Sequence, residues 1–199
     1  MLTTLLLCIL QTTTPSTAAP KAGSALTPQE ALAAAFPKCK IERVAHYPDK
    51  KQKAAAEKLA GKKIAVKAVR AYRASLKGKL VGTAYFDTHK IRTKAQTLLI
   101  ILDPKAKITR VEVFRFNEPP EYKPKGKWLN RYKGHTLDKK LQIKQSIPNL
   151  TGATLTARAT TEAVRRVMAL HAIFYPQPKA VKAATKAKPD GVKKPKSTA

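Results

Sequence analysis

The stretch "TLLIILDPKAKITRVEVFRFN", Thr97–Asn117, reads as two strands around a turn. "TLLIILD" is apolar on both faces, which suits a central strand covered by helices. Pro104-Lys105-Ala106-Lys107 supplies the turn into "ITRVEVFRFN", where Ile108, Val111, Val113 and Phe114 or Phe116 do not alternate cleanly. Just upstream, "KIAVKAVRAYRAS" (63–75) and "KLVGTAYFDTHK" (79–90) flank the turn Leu76-Lys77-Gly78-Lys79. Two successive hairpins predict one antiparallel sheet.

Helices and loops surround it. "LTPQEALAAAFP" offers Thr27 as a cap, Pro28 at the first helical position and Glu30 three residues after Thr27, a capping-box start for a helix running to about Phe36. "KIERVAHYP" reads as a further strand ended by Pro48. Asp49 then opens "DKKQKAAAEKLAG", a helix that Gly61 stops. "EPPEYKPKGK" is a loop by its prolines, and "KWLNRYKG" a short helix ended by Gly134 and anchored by Trp128 and Tyr132. The last helix spans about Leu155 to Phe174. Val164, Val167, Met168, His171 and Phe174 share one face, with Arg158, Glu162, Arg165 and Arg166 on another. The fold class is α+β: an antiparallel sheet of two successive hairpins packed with helices, ending in a long C-terminal helix.

Charge constrains partners more than fold. With 40 Lys and Arg against 12 Asp and Glu, the 199-residue chain carries a formal net charge of +28, so its surface attracts polyanions. The basic residues are scattered, which describes a diffuse positive field better than a shaped groove. From Pro176 onward the chain holds seven lysines and four prolines and almost no branched apolar residue. It cannot bury enough to offset chain entropy and reads as a disordered basic tail, 177–199. At the other end, 1–25 reads as a signal peptide and short linker: an apolar run Leu5–Leu10 too short to span a bilayer, then Ser16-Thr17-Ala18 as a cleavage pattern. That places the protein in the periplasm or otherwise outside the cytoplasm. Removing the segment removes Cys8 and leaves Cys39 alone, which excludes a disulfide framework and a thiolate metal site. His46, His89, His135 and His171 show no ligand spacing, so no metal is expected. Asp87-Thr88-His89 reads as a strand end, since adjacency in sequence builds no triad and no nucleophile elbow is present.

The chemistry concentrates in "NLTGATLTARATTEAVRRVMAL", Asn149–Leu170, where Thr151, Gly152, Thr154 and Thr156 crowd the start of the last helix. In one reading a single threonine caps the helix, the others are solvated and Gly152 makes the tight turn. In the other, exposed backbone N–H groups, the helix dipole and the hydroxyls hold a phosphate. It is not a P-loop, because no Lys follows Gly152 in register.

Thr151-Gly152-Ala153-Thr154 followed by Leu155-Thr156 resembles the S/T-G-A-T-x-T/S signature of the FMN-binding domain found in the C subunit of the sodium-pumping NADH:quinone reductase and the G subunit of the Rnf electron-transfer complex. The resemblance runs roughly from Thr27 to Phe174, within a domain drawn at 26–176. Its "FNEPPEY" stands where the family carries an E-T-P-G-like turn near the flavin. The family motif begins with an acidic residue six positions before the modified threonine, which helps the transferase accept its target. Here Pro148 occupies that place, with Asn149 next.

The resemblance implies FMN as cofactor, a phosphoester to Thr154 made by a dedicated flavin transferase, and a role in relaying electrons between a donor and an acceptor. It implies a phosphate seated at Thr151, Gly152, Ala153, Thr154 and Thr156 beside Arg158, and a ring near Asn117, Glu118 and Tyr122 or near His89, Arg92 and Thr93. The tetrad holds no His, Asp or Glu to activate Thr154, so the chain should not flavinylate itself. Two other readings are open. One is a polyanion-binding protein in which the sheet domain is structural and the Lys-rich tail engages nucleic acid or an acidic envelope polymer. The other is a flavin reductase, which no glycine-rich dinucleotide fingerprint supports.

Overall fold

In the computed structural model, residues 26–177 are described. The signal segment read at 1–25, Cys8 included, and the basic tail from residue 178 lie outside them. Two compact units are distinguished, one ending at Pro37 and the other beginning at Lys38. The first contains α1 (Pro28–Ala35), opened by the expected capping box: Glu30 N–H donates to Thr27 Oγ1 (3.2 Å) and Thr27 N–H to Glu30 Oε2 (2.8 Å).

The second unit carries the α+β architecture read from the sequence. β1 (Lys40–His46), β2 (Val69–Leu76), β3 (Lys79–Lys90), β4 (Ala95–Leu102) and β5 (Ile108–Phe116) form one antiparallel sheet in chain order. "KIERVAH" thus joins the two hairpins as an edge strand. The run expected as a strand from Lys63 starts pairing only at Val69, because the β1 ladder ends at His46 opposite Val69. Ile64 is instead buried beside α2 (Lys50–Ala60), its N–H donating to Glu57 Oε1 (2.8 Å). The imperfect alternation in β5 has a physical cause: register shifts opposite Thr97/Leu98 and Ile101/Leu102 rotate its side chains.

β4 is an interior strand, paired with β3 and β5, and its Leu98, Leu99, Ile100, Ile101 and Leu102 are all buried. α4 (Thr154–Phe174) lies on one sheet face. Its Val164, Val167 and Met168 meet Tyr85, Leu98, Ile100 and Leu102 in the main core, each contributing roughly 1.5–3 kcal/mol by burial. Trp128, Leu129 and Tyr132, from α3 (Gly126–Leu129) and the turn after it, close that core, Trp128 and Tyr132 meeting edge to face. α2 packs Ala56 and Ala60 against Ala169 and Leu170. Phe174, at the end of the expected core stripe, packs half-buried against this second cluster and stacks on His46, ring centroids 4.3 Å apart.

Several polar side chains of α4 are structural. Burial pushes His171 down to about 4, so it is neutral, and its Nδ1 shares a hydrogen bond with the Tyr85 hydroxyl (2.8 Å), as a satisfied core histidine should. Thr161 donates to Ala157 O (2.8 Å) and receives the Tyr132 hydroxyl (2.6 Å). Arg165, placed by periodicity on the polar face, is only 8% exposed. Its guanidinium donates to the carbonyls of Leu59, Ala60, Asp138 and Leu141, tying the C-terminal end of α2 and a loop to α4.

Candidate functional site

Sequence fixes the shape of the α4 start. Gly152 sits at φ 78°, and Ala153 N–H returns to Leu150 O (3.0 Å), so the chain turns tightly into the helix. A side chain at Gly152 would meet nothing within 4 Å, so its φ, not crowding, selects glycine. The N-cap is Ala153, and no side chain caps the helix. The reading in which one threonine caps α4 is therefore corrected. Thr151 is exposed, and the Thr154 hydroxyl is engaged elsewhere, accepting from Asn149 Nδ2 (3.2 Å). The first intrahelical bond runs from Ala157 N–H to Ala153 O (3.0 Å). The N–H groups of Thr154, Leu155 and Thr156 therefore project from the helix end.

They project beside a cavity of about 690 Å³. Its walls are three: Gly152–Thr156, the β3–β4 turn Ile91–Lys94, and Glu118, Pro119 and Tyr122 after β5. The turn wall is built by Glu118. Its Oε1 accepts the backbone N–H of Arg92 (3.3 Å), Thr93 (3.0 Å) and Lys94 (2.8 Å). Those bonds, the Lys94 one foremost, hold its carboxyl below the usual range. Glu118 thus fixes the loop that faces the helix. No acidic residue lies in the first turn of α4, while Arg92 and Lys94 stand exposed opposite it.

The cavity gathers Gly152, Ala153, Thr154, Thr156, Glu118 and Tyr122, together with Arg92 and Thr93. It does not gather the rest. Asn117 closes the ladder through its N–H to Ala95 O (3.1 Å). Arg158 lines a separate depression with Lys62, Glu162 and Arg165, because it shares their helical stripe and not the helix end. His89 is held by Asp87, which also receives Arg166. Burial alone would raise the Asp87 carboxyl, but His89 and Arg166 hold it below the usual range. Ile91, Lys94, Pro119 and Leu155 also line the cavity, next in sequence to the residues named there, while Asn149, in the turn before the hydroxyl-rich helix start, reaches Thr154.

The residues fit a phosphorylated aromatic ligand. The volume lies within the span of small-molecule sites, and free N–H groups at a helix end with no acidic residue in its first turn suit a phosphate. Among the described residues, no group of three or more His, Cys, Asp and Glu could hold a metal ion, and no helix is long and apolar enough to cross a membrane. No curated protein matches the chain. Residues 93–169 match the family of the FMN-binding domain, a span that runs from the β3–β4 turn through β4, β5 and the tetrad into α4, and it indicates FMN as the cofactor.

Proposed function

Taking residues 93–169 as an FMN-binding domain, we propose that the protein is an exported electron carrier whose FMN is attached by a phosphoester to Thr154. The observation that carries this reading is the uncapped start of α4 opening on the 690 Å³ cavity. The N–H groups of Thr154–Thr156 would hold the phosphate, where the helix dipole contributes on the order of 1 kcal/mol. The turn pinned by Glu118, and Tyr122, which is 39% exposed and forms part of the rim, would hold the ring. Bound FMN supplies one- and two-electron redox chemistry. Arg92 and Lys94 favour a ligand that gains negative charge and so raise its potential.

Domain bounds of 26–176, a flavin transferase as modifying partner, and a redox donor and acceptor complete the reading. Export rests on the Leu5–Leu10 run and the small residues after it. Protein co-expressed with a flavin transferase and purified under denaturing conditions should remain yellow, with the added mass on the peptide containing Thr154. A colourless native protein that does not bind added FMN overturns the reading.

A further inference from the structure

The Asn149 side chain reaches across the tetrad to Thr154, its Nδ2 donating to Oγ1 at 3.2 Å. A threonine at the first position of a helix has a hydroxyl free to rotate and to compete for nearby backbone groups. Here one lone pair is held by an amide hydrogen, and the loop is braced a second time by Ala153 N–H to Leu150 O. Oγ1 therefore has a fixed place on the cavity wall, beside the helix-end N–H groups where phosphate charge is best accommodated. The position where the family motif has an acid cannot do this. Pro148 has no polar side chain, and its carbonyl is taken by Trp128 Nε1–H (2.9 Å).

We propose that Asn149 is a positioning residue for covalent attachment of the flavin: it aims Thr154 Oγ1 at the phosphorus of an activated flavin nucleotide. The inference rests on the covalent reading above. In the step, Oγ1 forms a bond to the phosphorus of an FMN anhydride such as flavin adenine dinucleotide. The anhydride P–O bond breaks, the nucleoside monophosphate leaves, and the hydroxyl proton passes to a base of the transferase, since none lies in the tetrad. No electrons are exchanged. Charge that builds on the phosphoryl oxygens faces the N–H groups of Thr154–Thr156, so α4 contributes to the attachment as well as to holding the product.

The test follows the attachment rate by intact mass, using the full mature chain, a flavin transferase and flavin adenine dinucleotide, and separately titrates free FMN by fluorescence. Asn149→Ala and Asn149→Leu are compared with wild type. Leu keeps the size but can neither donate to the Thr154 hydroxyl nor accept from it. Both variants should attach flavin about tenfold more slowly, while FMN affinity changes by less than about threefold. Either variant attaching at the wild-type rate overturns the inference, as does a parallel fall in affinity, which would mark a merely structural role. A wild-type chain that binds FMN but is never modified overturns the covalent reading instead.

Discussion

From Thr161 onward α4 gives each buried polar side chain a partner: His171 has the Tyr85 hydroxyl, Thr161 has Ala157 O and Tyr132, and Arg165 has four carbonyls. At its first turn the same helix ends in N–H groups that no side chain caps, facing a cavity. Buried polar groups left unmatched are costly, so proteins satisfy nearly all of them. A helix this carefully satisfied elsewhere and bare at one end places its ligand chemistry at that end.

Substitutions can break the contrast from either side. The largest effect is expected from Thr154→Val, which removes the oxygen and should abolish covalent flavin altogether, read by mass of the denatured protein. Arg165→Met comes next. It leaves four carbonyls without their donor and should cost about 3 kcal/mol in urea unfolding, while flavin attachment by the surviving folded protein is unchanged.

Acid probes the closed end in a third way. His171 is depressed from 6.5 to about 4, chiefly by burial and then by Arg73. Between those values the unfolded chain binds the additional proton. Stability present in full above about 6.5 is therefore lost progressively as pH falls to about 4, by roughly 3 kcal/mol. Denaturation midpoints across that window check it, and His171→Asn should flatten the slope. Tyr132→Phe is milder, about 1 kcal/mol, because Thr161 keeps its bond to Ala157 O.

The smallest effect belongs to the open end. Glu118→Gln retains an acceptor oxygen for the Arg92–Lys94 turn but not its charge, and should weaken FMN binding less than threefold by fluorescence titration. Since the Glu118 carboxyl is held below its usual range, the turn stays pinned above that range. It is released as pH falls through the depressed value.

What could be read from the sequence was local in origin. The hairpins follow from turn residues between apolar runs, α1 from Thr27, Pro28 and Glu30, and the phosphate-type helix start from Gly152 among hydroxyls. What could not be read depends on partners distant along the chain. Glu118 becomes a wall of the cavity only because it reaches the turn 24 to 26 residues earlier. Arg165 looks solvated by periodicity and is buried because the end of α2 requires donors. Arg158 is close to the tetrad in sequence, yet it lines a separate depression with Glu162 and Arg165. β2 begins at Val69 and not at Lys63 because a strand extends only as far as its neighbour pairs with it.

The chain has a single tryptophan, and Trp128 is clasped by the carbonyl of Pro148 at the base of the tetrad loop. The molecule thus carries its own optical gauge. Indole emission overlaps flavin absorption, so resonance transfer should dim Trp128 as the cavity fills, allowing occupancy and loop closure to be followed in the unmodified protein without any added label.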